Sequence, residues 1–289
     1  MTAAEVVRDT QAILVESIWW DAATDELVWV DITAGTLHRG RLDGALDGSD
    51  DRVARLPPPV SAVQPRIGGG YVAALRDRVV TIDVEGEIES TLAVIRHEHA
   101  GLRLNEGKVD PQGRFVVGSM NLTTGEPDGA IYSIEPDGAC RVIAGGFGVA
   151  NGMEWSDDGA TFYVTDTSVK TVYRAEYGPD GQLGQLEPFL TGYDSDGLAL
   201  DTEGSFWNGV YGGGSVVQWT ADGDVSEEYA LPVPNITSVA FGGSGFGSLF
   251  IGSAREQLTE ADLVAHPLSG GIFRLDVGAT GRPPNLFGG

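Results

Sequence analysis

Five oxygen-bearing side chains recur at one place in a repeated pattern. Glu16, Asn105, Asn151, Asp196 and Thr237 each stand ten to twelve residues before a short apolar segment that opens on Leu or Phe. Two carboxylates and two amides brought to one point would repel one another or go unsatisfied unless a cation sat among them. Oxygen-only donors suit a hard ion such as Ca2+ or Mg2+, with Mn2+ also compatible. Three ligands drawn from separate segments would leave coordination positions for water and substrate, as a catalytic metal requires. Taken singly, Asn151-Gly152 and Asp196-Gly197 read as plain turns; the shared offset is what argues for a site.

Other chemistries find less support. His38, His97, His99 and His266 fall outside these offsets. His97-Glu98-His99 offers a pair of imidazoles without a third ligand nearby and reads as a solvated loop. No Gly-x-Ser-x-Gly elbow is present, and Cys140 has no neighbouring histidine motif. The glycine tract 242–247 lacks the strand-loop-helix context of a phosphate loop.

The elements that would position these residues follow from the repeat. Leu27-Val-Trp-Val-Asp31, Tyr71-Val-Ala-Ala-Leu75, Phe115-Val-Val-Gly-Ser119, Phe162-Tyr-Val-Thr-Asp166, Phe206-Trp-Asn-Gly-Val210 and Leu249-Phe-Ile-Gly-Ser253 start 44, 44, 47, 44 and 43 residues apart. Most are followed by a further strand, as in Thr36-Leu-His-Arg39 and Thr171-Val-Tyr-Arg174, and then by a turn such as Pro136-Asp-Gly138. Short strands rich in Val, Ile, Tyr, Phe and Trp between turn residues, repeating in the forties, are the signature of propeller blades. The expectation is an all-β, six-bladed β-propeller forming a single domain over 1–289. The first strand of each blade would line a central channel, so its leading residues would gather at one mouth. The segment near Glu5 to Arg8 is expected to pair with the last blade. Glu256 to Ala265 reads as a loop with a single turn.

The whole chain narrows the partners. It carries 18 Lys and Arg against 42 Asp and Glu, a formal charge of −24. So acidic a surface repels phosphate backbones and anionic lipid, which argues against nucleic acid and membranes. The single cysteine forbids an internal disulfide. The opening residues lack a basic start followed by an apolar run, and no stretch approaches the roughly 18 apolar residues of a membrane helix. These features point to a cytoplasmic protein, a monomer or weak homo-oligomer.

The same segments resemble the SMP-30/gluconolactonase/regucalcin-like family, across essentially the whole chain. Arg103-Leu-Asn-Glu-Gly-Lys108 is similar to that family's Arg-x-Asn-Asp-Gly-Lys block, Asn151-Gly-Met-Glu-Trp155 to its Asn-Gly block and Asp196-Gly-Leu-Ala-Leu200 to its Asp-Gly block. Gly270-Gly-Ile-Phe-Arg274 is similar to its final blade. The resemblance implies one divalent metal held by Glu16, Asn151 and Asp196, with Ca2+ the expected ion and Mg2+, Mn2+, Zn2+ or Fe2+ as alternatives. It implies a sugar lactone as the small-molecule partner, contacted by Arg103, Asn105 and Glu106, and ring opening by water attack on the ester carbonyl. Asp196 falls where the family places its base. A carboxylate on a cation is a weakened base, so Asp196 through its second oxygen and a metal-activated water both fit. Two departures stand out: Glu16 is followed by Ser17-Ile18 where the family reads Gly-Pro, and Glu106 replaces Asp. The competing expectations are a metal-dependent aryl-ester or phosphotriester hydrolase on the same scaffold, and a non-catalytic calcium-binding propeller.

Overall fold

The structure, a computed structural model, describes residues 4–124 and 126–288. The expected span of 1–289 includes Met1 to Ala3, Gly125 and Gly289, which lie outside the described residues. The fold is all-β apart from short helical turns: six four-stranded antiparallel sheets, each the blade of a six-bladed β-propeller. All six segments picked out by the repeat are the second strand of their blade, from Glu26–Asp31 in blade one to Ser248–Ser253 in blade six.

The strands differ by depth. First strands such as Val15–Asp21 and Ser195–Leu200 are buried almost throughout, polar residues included, whereas fourth strands such as Arg52–Arg55 and Val225–Ala230 are largely exposed. This gradient lets polar groups at the head of a first strand sit in a shielded place. Glu5–Arg8 supplies the fourth strand of blade six, pairing antiparallel with Ile272–Leu275 as the sequence suggests. Arg8 anchors that strand: its Nη2 lies 2.8 Å from Asp51 Oδ1, with both side chains buried.

The chain divides into two compact units. One is Met1–Arg55 with Asp196–Pro283, holding blades one and six and most of blade five; the other is Leu56–Ser195 with Pro284–Gly289, holding blades two, three and four. Each packs its own apolar clusters. Trp20, Trp29 and Phe250 meet in the first unit, and Phe115, Val117 and Ile134 in the second. The segment expected as a loop with one turn contains a helix, Glu260–Ala265. Thr259 caps it reciprocally with Asp262, which satisfies two otherwise orphaned N–H groups. Among the described residues, no helix is long and apolar enough to cross a membrane.

Candidate active site

Glu16, Asn151, Asp196 and Thr237 are each the second residue of their blade's first strand. Asn105 is the fourth residue of Leu102–Val109. Pairing with the second strand slips at several of these points: between Glu16 and Trp19, Leu104 and Gly107, Asn151 and Met153, and Ile236 and Val239. Such bulges turn a strand locally and re-aim its side chains. Asn151-Gly152 and Asp196-Gly197 therefore lie inside strands and are not turns. Gly197 is demanded by close packing, since a Cβ there would stand 2.6 Å from the Thr237 carbonyl oxygen.

In the first unit the site residues are carboxylates. Glu16 and Asp196 are 7% and 6% exposed. Ser17 departs from the family pattern yet keeps the backbone turn that a glycine would make, with φ +52. A left-handed non-glycine residue costs about 1–2 kcal/mol, and local bonds offset part of it: the Ser17 N–H donates to Glu16 Oε2 at 3.3 Å and the Ile18 N–H to Ser238 Oγ at 3.0 Å. Thr237 shares the offset, but its hydroxyl donates to the Val15 carbonyl at 2.5 Å and so ties down the strand that carries Glu16. Tyr211 registers the electrostatics. Burial pushes its phenol well above the ordinary range, and the charges of Glu256, Asp196 and Glu16 push it further.

In the second unit the site residues are an arginine and two amides joined in series, and the carboxyl of Glu106. Arg103 Nη1 donates to Asn105 Oδ1 at 2.5 Å, and Asn105 Nδ2 donates to Asn151 Oδ1 at 2.7 Å. Asn151 Nδ2 donates to Thr167 Oγ1 at 2.9 Å, and the Thr167 hydroxyl donates to the Ser195 carbonyl at 2.6 Å. Glu106 stands outside this chain. Its Oε1 accepts from the Gly107 N–H at 3.0 Å. Burial raises its carboxyl pKa against the pull of Lys108 and that N–H, and Glu154 raises it further. Lys108 Nζ is itself 2.5 Å from Glu154 Oε1.

Several contributors escape a reading by residue type. Asp31 and Asp166 end the second strands of blades one and four, at equal distances along the chain after Glu16 and Asn151. Asp31 accepts from the N–H groups of Ile13 and Leu14, and Asp166 from those of Gly148 and Val149, so each pins the lead-in to a site strand. That equal spacing was the available signal. Ser61, ten residues before Tyr71 and second in Val60–Pro65, is the blade-two counterpart that the offset rule would have found. Thr167 and Tyr211 share one signal, each directly following a second strand, five residues after Phe162 and Phe206.

Each unit carries oxygen donors of the kind a hard cation takes: in the first, two buried carboxylates acting on one phenol; in the second, the Asn151 amide oxygen, which accepts from Asn105. Among the described residues, no three His, Cys, Asp or Glu side chains come together as a metal centre; the expected set counts only two of those types. His97 and His99 turn to different partners, the Arg76 carbonyl and the Asp128 carboxylate. Cys140 is exposed on an outer strand, with its thiol pKa raised by partial burial, which disfavours the nucleophilic thiolate.

The sequence model of the SMP-30/gluconolactonase/LRE-like region matches residues 14–255. The 6-deoxy-6-sulfogluconolactonase of Pseudomonas putida is 34% identical, covering 98% of each chain. A pentonolactonase of Haloferax volcanii is 32% identical, over 98% of this chain and 97% of its own. Among solved structures, the calcium-binding protein regucalcin of Agrobacterium tumefaciens superposes with a TM-score of 0.91 at 28% identity, over 99% of this chain and 97% of that one.

Proposed function

Because the chain belongs to the SMP-30/gluconolactonase/LRE-like family, we propose that it is a metal-dependent lactonase that opens a sugar lactone. Glu16, Asn151 and Asp196 would hold one divalent ion, Ca2+ in the first instance. One observation carries this reading: all three occupy the second position of a first strand, in three different blades. Relatives named as lactonases over nearly the whole chain support the activity, and the calcium-binding neighbour supports the ion.

When bound, the ion supplies Lewis-acid polarisation of the ester carbonyl. Asp196 accepts the proton released as water attacks that carbonyl carbon. Arg103 and Asn105 orient the sugar hydroxyls by hydrogen bonds, and Arg103 brings a positive group into a protein of net charge −24. Glu106 also contacts the substrate, through a buried carboxyl whose pKa burial raises. The partner is a small lactone, with no role for nucleic acid or membrane, and the protein works in the cytoplasm as a monomer or weak homo-oligomer.

The test is turnover by metal-stripped protein of aldonolactones, simple lactones, aryl esters and phosphotriesters, with Ca2+, Mg2+, Mn2+, Zn2+ or Fe2+ restored one at a time. Ion-dependent opening of an aldonolactone is expected to dominate. Preference for aryl esters or triesters would make it another hydrolase, and ion binding without turnover would make it a binding propeller.

A further inference from the structure

We infer that Thr167 is a positioning residue: its hydroxyl sets which end of the Asn151 amide faces the cation. The inference rests on the lactonase reading above and adds to it a residue outside the proposed ligands and substrate contacts.

The two ends of an asparagine amide have nearly the same shape and opposite polarity. Only the oxygen attracts a cation; the NH2 group repels it. The neighbours of Asn151 must therefore choose between two orientations that packing alone barely distinguishes. The chain of hydrogen bonds makes that choice through its two ends. Arg103 is a guanidinium, which donates and never accepts. The Ser195 carbonyl accepts and never donates. Between them only one direction is consistent: Arg103 to Asn105, Asn105 to Asn151, Asn151 to Thr167, Thr167 to Ser195.

Thr167 is the decisive link on the far side of Asn151. A hydroxyl has one hydrogen, and here it goes to the Ser195 carbonyl at 2.6 Å. What the hydroxyl turns toward Asn151 is lone-pair density, so it must receive an N–H. Reversing the amide would set oxygen against oxygen at the 2.9 Å contact with Thr167, and NH2 against NH2 at the 2.7 Å contact with Asn105. Both contacts would become repulsive.

The hydroxyl is also held still. Thr167 opens the short turn Thr167–Val169, and its N–H donates to the Val149 carbonyl at 3.0 Å. Asp166 braces that turn, accepting from the N–H groups of Gly148, Val149 and Ser168. Threonine is β-branched and stiff at χ1. Its other bond reaches the carbonyl of Ser195, whose peptide link continues into Asp196. One hydroxyl thus orients the Asn151 side chain and restrains the backbone at the start of the Asp196 strand.

The test compares the full chain with Thr167→Val and Thr167→Ser, titrating Ca2+ into metal-stripped protein by calorimetry and recording thermal stability. Thr167→Val keeps shape and removes both donor and acceptor; it should lower Tm by a few degrees, since it unpairs the Asn151 NH2 and the Ser195 carbonyl, and weaken Ca2+ binding of the folded protein about 10–100-fold. Thr167→Ser should stay within about threefold of wild type, since the hydroxyl survives. A second background separates orientation from packing. Aspartate has two equivalent oxygens, so in Asn151→Asp the added Thr167→Val change should cost under about threefold. Wild-type Ca2+ affinity in Thr167→Val, or an equal valine penalty in both backgrounds, overturns the inference and leaves the lactonase reading standing. A wild-type protein that binds none of the five divalent ions overturns both.

Discussion

In the unit that holds blades one and six and most of blade five, the candidate site residues are the carboxylates Glu16 and Asp196, whose fields both reach Tyr211. In the unit of blades two to four they are Arg103 and two amides, linked in one direction from Arg103 to the Ser195 carbonyl, with the Glu106 carboxyl outside that link. The first set works through net charge, which acts in all directions and tolerates a small rotation. In the second, the charge of Arg103 is joined by amide partial charges of fixed direction, which reverse if an amide turns over. A cation can be attracted by the first kind of group alone. Placing a neutral sugar ester at a defined angle needs the second kind, because an uncharged substrate is steered by hydrogen-bond geometry. The amides come with a scaffold of further hydrogen bonds, including those of Asp166 and the turn at Thr167.

The largest effect is expected at Asp196. Asp196→Ala removes a proposed ligand and the proposed base together, and kcat/KM on a sugar lactone should fall about 10³-fold or more. Near-normal turnover with normal ion content in that variant would remove Asp196 from the mechanism. Asn105→Asp tests direction against charge in the other unit. The change is nearly isosteric and adds a negative charge, but an ionised carboxylate cannot donate to Asn151. If direction matters, kcat/KM falls about 10–100-fold despite the extra charge; unchanged or higher kcat/KM would show that charge suffices there too.

A smaller effect comes from buried titratable groups of opposite kind in the two units. His38, stacked on Trp29 with ring centroids 3.8 Å apart, has its pKa lowered to about 4 by burial. The unfolded chain then binds the proton more readily, so stability falls as pH drops from about 6.5 toward about 4. That window is worth on the order of 3 kcal/mol at most. Melting curves of His38→Phe should lose much of this acid sensitivity. Glu106 has the opposite sign. Its raised pKa means the folded state holds the proton, so stability declines as pH rises above 4.5 toward the folded value. Glu106→Gln should flatten that decline, and an unaltered pH profile would contradict the assignment. The smallest effect is expected at Ser17. Ser17→Gly should gain about 0.5 kcal/mol, relief of the left-handed strain being partly offset by the freedom of glycine in the unfolded chain. Ser17→Val should lose more than about 1 kcal/mol, because a β-branched residue fits that φ poorly; equal melting temperatures would show that the backbone there is not strained.

Much of the scaffold is legible from residue spacing. The second strands are apolar and aromatic enough to stand out, and so are most third strands. Arg78–Ile82, the third strand of blade two, is missed because it follows Leu75 almost at once, with no turn signature between them. Fourth strands such as Val225–Ala230, Val-Ser-Glu-Glu-Tyr-Ala, are missed because exposure removes the apolar pattern that marks a strand. The candidate residues Glu16, Asn105, Asn151 and Asp196 are found by their offset, and Arg103 and Glu106 by family resemblance. Thr167 and Tyr211 are not found, although each directly follows a second strand, five residues after Phe162 and Phe206; their types are ordinary for a turn.

The sequence by itself determined the number of blades, the strands that build them and the polar residues at the heads of first strands. Those properties rest on side-chain alternation and repeat length, which are local. Only the tertiary structure decided that Asn-Gly and Asp-Gly lie inside strands, the first of them at a bulge, that Ser17 takes the glycine-like turn, and that Thr167 completes a one-way chain ending at Ser195. A bulge exists only relative to the strand it pairs with. A hydrogen bond's direction depends on every partner along its path, and those partners are distant in sequence until the chain folds.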